Sequence, residues 1–368
     1  MSSEQAYWLA WSQISGVGAV TLQRLQKQFP SLEKAWYASQ KELQQIAGLG
    51  NKNIQQILEQ RSRLSPETLF NEHLRKNPQF WTPADANYPR LLLETPSPPP
   101  VLYYQGKIDP QEMQGTQPLI SIVGTRSPSD YGKRWTQKIS AALAKHGYTI
   151  ISGLAAGIDA HAHRSCLEAG GRTLGILGTG LDTVYPPQNR QLYQDIQQQG
   201  AILTEYPVGT KPDRGNFPAR NRIIAGLSRA VIVTEAPEKS GALITARYAN
   251  EFGRDVYILP GSLDNKNAIG CLGLLNQGAN VILSETHLLE MLGTMPQLDL
   301  VEETASPLPD IEPNLKEILS AIAPEPTAFD VIAQKVEQDA NSISAGLLQL
   351  ELLGLISQAP GMRYQRFR

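Results

Sequence analysis

The sequence predicts an α/β core, a Rossmann-like, doubly wound and mainly parallel sheet. A helical N-terminal domain of helix-hairpin-helix (SAM-like) type precedes it and a winged helix follows. Three observations predict this. Apolar strand-length runs alternate with helical patterns through residues 118–290, as successive βαβ units do. An apolar-x-Gly-apolar-Gly turn occurs twice within 1–75, 32 residues apart, each time before a helical pattern. Three helical patterns and a hairpin run in order over 311–368. A chain of 368 residues with 41% apolar and 18% charged residues has room for several domains of ordinary globular composition.

Taken in order, 1–75 carries Ile14-Ser15-Gly16-Val17-Gly18 before Val20, Leu22 and Leu25, then Ile46-Ala47-Gly48-Leu49-Gly50 before Ile54, Ile57 and Leu58. Such turns bring backbone amides close to a phosphate in helix-hairpin-helix proteins; they read more simply as αα turns closed by glycine. Lys52 lies beside the second. Residues 76–117 hold seven prolines between Pro78 and Pro100 and read as an extended leader with a short strand at Val101–Tyr104. In 118–290 the strands are Leu119–Val123, Tyr148–Ile151, Thr173–Leu177, Ala201–Leu203, Ala230–Thr234, Asp255–Leu259 and Asn280–Leu283, with helices near 131–146, 157–169, 189–199, 219–228, 240–252 and 270–277. Residues 291–310 form an acidic, proline-containing linker. Over 311–368, helices at Asn314–Ala323, Ala328–Val336 and Ser342–Leu353 precede a hairpin in Gly354–Arg366.

Glycines fall after the strands: Gly124, Gly153 and Gly157, Gly178 and Gly180, Gly241, Gly261. In a parallel sheet those loops share the carboxyl edge, where doubly wound folds bind ligands. The stretch Leu119–Gly132 reads as a strand, a turn through Gly124, Thr125, Arg126 and Ser127, and a helix start. That is a phosphate seat built from loop amides and a helix N-terminus, or an ordinary βα turn with a surface Arg. Lys211–Arg222 reads as a loop placing Lys211, Arg214, Arg220 and Arg222 around Phe217. Cations interleaved with an aromatic suit a single nucleic-acid strand. Asn221 sits between two Arg, as a contact or as a brace. Ser240 and Gly241 open a helix with small residues, a second amide-rich anion seat or a plain cap.

The net charge of −2 excludes a protein that coats nucleic acid by bulk charge and leaves only a local patch. Lys and Arg outnumber Asp and Glu by seventeen to fourteen in 118–290 but are outnumbered seven to five in 311–368. The third helix of the winged helix lacks Lys and Arg, so that domain is expected to contact protein rather than read a DNA groove. Two cysteines fit a reducing cytoplasm. No apolar run long enough to span a membrane occurs, and the N-terminus lacks a signal-peptide pattern. Asp159, His163 and Cys166 share a helix face, a conceivable metal cluster; with no second Cys/His cluster, packing explains them better and no metal is expected. The nucleophile elbow, dinucleotide fingerprint and Walker patterns are absent, so no cofactor is expected.

These residues resemble the DNA-processing protein A (DprA/Smf) family. The similar stretches are NYPRLLLETPSPPPVLYYQG at 87–106, SIVGTRSPSDYG at 121–132, SGLAAGIDAHAH at 152–163 and GTGLDTVYPPQN at 178–189. They continue with TEYPVGTKPDRGNFPARNRIIAGLS at 204–228, SGALITARYANEFGRDVYILPG at 240–261 and GLLNQGA at 273–279. The resemblance implies a cytoplasmic, non-enzymatic single-stranded-DNA binder that protects incoming DNA and loads RecA recombinase in natural transformation, as a homodimer. It implies strand contacts from Gly124-Thr125-Arg126 and Phe217-Pro218-Ala219-Arg220-Asn221-Arg222, with Arg214 the nearest match to a basic residue before the Phe. Ala156 departs from the Arg common in such sequences. The alternative is an enzyme of the lysine-decarboxylase-like phosphoribohydrolase class. Its motif has a Glu where Tyr248 stands here, and an unperturbed Tyr is a poor base at neutral pH.

Overall fold

The computed structural model describes residues 4–293, 312–322, 327–336, 338–353, 355–359 and 362–366. The chain divides into two compact units, Met1–Leu298 and Asp299–Arg368.

The larger unit is built on a sheet of β1 (Phe80–Trp81), β2 (Leu102–Gly106), β3 (Leu119–Val123), β4 (Thr149–Ser152), β5 (Thr173–Ile176), β6 (Ala201–Thr204), β7 (Ala230–Val233), β8 (Asp255–Ile258) and β9 (Asn280–Val281). Their spatial order is β1-β2-β6-β5-β4-β3-β7-β8-β9. Strands β3 to β9 pair in parallel, and β2 closes the β6 edge antiparallel, Tyr103 opposite Thr204. The chain winds outward from β3 through β6, then returns to the other side of β3 as β7. The topological switch therefore lies between β3 and β7, the usual crevice of doubly wound folds. The proline-rich segment does more than lead into the core: β1 and β2 belong to the sheet, and β2 runs two residues further than the sequence pattern predicts. Antiparallel pairing with β6 carries it on to Gly106, opposite Ala201.

Every residue of β3 is buried, as expected for a strand covered on both faces. Alternation splits the strand: Leu119 and Val123 join the core under helices Asn216–Leu227 and Ala242–Glu251, while Ile120 and Ile122 face helices Asp130–Lys145 and Ile158–Glu168. Ser121 is the polar exception, and its hydroxyl meets the Ser228 hydroxyl at 2.5 Å.

Helix Glu285–Gly293 is an element the pattern does not predict, and the rest of the expected 291–310 linker lies outside the described residues. The predicted strands and helices of 118–290 match the observed ones to within a few residues, with one consequential difference. Residues 216–222 are not loop but the first two turns of helix Asn216–Leu227. Pro218 hides this start, yet proline is tolerated in a first helical turn, where its missing N–H has no partner to lose.

The N-terminal helices enclose a separate core around Trp8, Trp11, Leu22, Leu25 and Trp36. Gly16 and Gly48 adopt left-handed φ of 85° and 78° in the two repeated turns, and Arg24 donates to the Ala47 carbonyl at 2.6 Å, tying the repeats together. In the smaller unit, helices Pro313–Ala321, Phe329–Lys335 and Ala340–Leu352 surround a core of Leu315, Ile318, Ile332, Ile343 and Leu350. Strand Arg363–Arg366 pairs with both Ile356–Ala359 and Thr327–Ala328, the wing of a winged helix. Among the described residues no helix is long and apolar enough to cross a membrane.

Candidate nucleic-acid interface

Phe217 stands at the carboxyl edge, on the first turn of helix Asn216–Leu227, half-buried. Its ring rests on Gly178 in the loop after β5: a Cβ there would come within 2.9 Å of Phe217 Cδ1. The exposed Arg126, from the loop after β3, holds its guanidinium carbon 5.8 Å from the Phe217 ring centroid. The Tyr185 ring lies 5.2 Å from Phe217 at 33° and is 40% exposed. The loops after β3 and β5 thus meet the first turn of this helix, bringing two aromatics and one cation together. Arg214 and Lys211 are exposed on the segment leading into the helix, where Asp213 accepts the Gly215 amide at 2.8 Å.

Two expectations for this region need correction. Arg220 is not a surface phosphate holder: it is 4% exposed. At i+3 from Phe217 it points beneath the edge, where it donates to the carbonyls of Gly153, at 2.8 Å, and Ile176. Burial lowers its pKa to about 10, with the Arg126 charge adding to the shift and Asp159 and Tyr206 opposing it. It therefore remains a cation at neutral pH. Asp159 is its buried counter-charge, accepting the Gly153 and Ala155 amides at 3.0 and 3.4 Å. Burial raises the Asp159 pKa, and Arg220 and these amides restrain the rise.

The second correction concerns the amides of Gly124–Ser127. The Thr125 amide is spent on the Glu235 carbonyl at 2.7 Å, and the Ser127 amide reaches Thr125 Oγ1 at 3.3 Å. Thr125 is buried; Gly124 is half-buried and Ser127 exposed. What this loop presents outward is Arg126 and Ser127.

Asn221 braces: its Nδ2 donates to the Gly241 carbonyl at 3.0 Å, joining helix Asn216–Leu227 to the start of helix Ala242–Glu251. Ser240 Oγ accepts the Ala242 amide at 3.3 Å. Arg222 pairs with Glu205 at 2.5 Å, both largely buried. Gly157, with φ 82°, lets the loop after β4 press on the Arg126 loop; a Cβ there would overlap the Thr125 carbonyl oxygen.

Asp159, His163 and Cys166 do not converge. His163 bonds Thr173 Oγ1 at 2.7 Å, and Cys166 donates to the Arg172 carbonyl at 3.2 Å. Among the described residues no group of three or more His, Cys, Asp or Glu is placed to hold a metal. Tyr248 stacks on Phe252 at 5.7 Å. Sequence reasoning missed Tyr185, although it lies inside GTGLDTVYPPQN, because its pairing with Phe217 joins a loop to a helix start more than thirty residues further along the chain.

A family model described as DNA recombination-mediator protein A matches residues 79–293. The chain belongs to that family. A DprA winged-helix model matches 302–362, and a SAM-like helix-hairpin-helix tandem matches 11–62. Protein Smf of Synechocystis sp. is 57% identical, covering 99% of both chains. The X-ray structure of DprA from Streptococcus pneumoniae is 33% identical with TM-score 0.66, covering 79% of this chain and 98% of that one. DNA processing protein A from Helicobacter pylori, solved for its single-stranded-DNA binding mode, is 34% identical with TM-score 0.52, covering 58% and 95%.

Proposed function

We propose that the carboxyl edge of this sheet binds single-stranded DNA without sequence preference. Phe217 stacks a base, Tyr185 extends the platform, and Arg126, Arg214 and Lys211 follow the phosphates. Gly124 and Ser127, with Ser240 and Gly241, line the path, while the buried Thr125 anchors the loop from beneath. Arg220 supports it from below with charge and position, and Asn221 by bracing the two helices. The observation that carries the reading is the partly open Phe217 ring, flanked by Arg126 and Tyr185. Aromatic platforms in a cationic groove are how proteins hold single strands. The family and the binding mode of the Helicobacter pylori protein support it. In the cell the protein shields incoming strands and passes them to RecA recombinase during natural transformation, acting as a cytoplasmic homodimer. A phosphoribohydrolase reading is disfavoured because Tyr248, packed on Phe252, replaces the carboxylate that chemistry uses.

The test is fluorescence-anisotropy binding of labelled oligo-dT and of the matching duplex. The parent is expected to prefer the single strand, and Phe217→Ala to weaken it by about 1–3 kcal/mol. Equal affinity for duplex, or a Phe217→Ala variant that binds like the parent, contradicts the reading.

A further inference from the structure

The crevice between β3 and β7 is where a doubly wound fold ordinarily seats a nucleotide phosphate, against the N-terminus of the helix after the first strand. Here that helix is Asp130–Lys145, and its N-terminus already holds an anion. Glu235, two residues beyond β7 and 2% exposed, turns its carboxylate onto the first turn. Oε2 accepts the Ser129 amide at 2.8 Å, and Oε1 accepts the Ser129 hydroxyl at 2.5 Å and Asn265 Nδ2 at 3.3 Å. Gly132 makes room: a Cβ there would fall on Oε2. The Glu235 carbonyl also takes the Thr125 amide. Asn267 closes the remaining side, its Nδ2 on the Ser127 carbonyl at 3.1 Å and its carbonyl on the Ala236 amide at 2.7 Å.

A carboxylate so placed takes up the Ser129 amide and hydroxyl, the Asn265 side-chain amide and the helix dipole, as a phosphate monoester would. We propose that Glu235 is a resident anion occupying the phosphate seat of the crevice, so that free nucleotides are refused. Nucleic acid is then held only as a strand, outside the crevice, where Arg126 and Phe217 stand. Glu235 is thus a specificity-determining residue that need not touch the DNA. The consequence for strand choice rests on the binding reading above; the occupancy of the seat does not.

Equilibrium dialysis of labelled dTMP and of inorganic phosphate tests this on the full chain, with oligo-dT binding measured alongside. The parent is expected to show no saturable uptake of either at millimolar concentration. Glu235→Ala and Glu235→Ser are expected to take up one phosphate per chain, and phosphate or acetate should raise their melting temperatures but not the parent's. Glu235→Asp, which keeps the charge, is expected to behave as the parent. Saturable dTMP or phosphate uptake by the parent overturns the proposal. So do folded Ala and Ser variants that bind no anion, or unfolding of both that neither phosphate nor acetate reverses. Failure of the parent to bind oligo-dT counts against the strand-binding reading alone, because the anion measurements stand without it.

Discussion

Arg220 shows how one residue of a basic motif can turn away from the surface that its neighbours occupy. Its guanidinium joins the ends of β4 and β5 through the Gly153 and Ile176 carbonyls and faces Asp159 in the interior. Truncation strands a buried carboxylate and two carbonyls, so Arg220→Ala is expected to cost about 3–5 kcal/mol in urea unfolding, whereas Arg126→Ala, at an exposed position, should leave stability within about 0.5 kcal/mol. His163 makes a separate prediction. Burial, helped by the Arg220 charge, pushes its pKa down to about 3. The unfolded chain takes up this proton below about 6.5 while the folded chain does so only near 3. The stabilisation is therefore complete above the unfolded pKa and lost as pH falls through that window, by up to about 1.4 kcal/mol per pH unit. Unfolding measured from pH 7 to pH 4 should be flatter by about one proton in His163→Gln.

The elements were legible because their periods are clean. A run such as LISIV, short, β-branched and followed by glycine, reads as an interior strand, and glycines after five of the seven predicted strands mark the carboxyl edge. Phe217, Arg126 and Arg214 were legible as chemistry, cations around a ring. Other features depend on pairings that no local pattern carries. Pro218 concealed a helix start, and the inward turn of Arg220 follows from its i+3 offset on that helix. Tyr185 meets Phe217 only because the loop after β5 folds against the start of helix Asn216–Leu227. Glu235 reads in sequence as one acid among many; only the switch between β3 and β7 brings it to the helix at Asp130. Loop packing supplies the test for this level. Gly157→Ala places a methyl on the Thr125 carbonyl at a φ of 82°, so it should destabilise by about 2–4 kcal/mol from strain and overlap. Strand binding should weaken with it, because the Arg126 loop is what moves.

Across the whole molecule, charge is distributed to suit a local nucleic-acid site rather than bulk attraction. The net charge is −2, yet Lys211, Arg214 and Arg126 are exposed around one edge. The winged helix presents Leu348 and Leu353, 59% and 51% exposed, on and just after a third helix without Lys or Arg, which suits a protein surface better than a phosphate backbone. Residues 1–298, a compact unit, are accordingly expected to bind oligo-dT within about threefold of the full chain, since most of the cations lie within them. The central claim, that the sheet edge around Arg126 is the strand site, is met most directly by oligo-dT affinity over a salt series for the parent and Arg126→Ala. The account predicts steeply salt-dependent binding by the parent. In the variant the slope should be shallower by roughly 0.7, because one phosphate is no longer neutralised and its counterion is not released. Identical slopes and affinities would contradict it and move the site away from the edge.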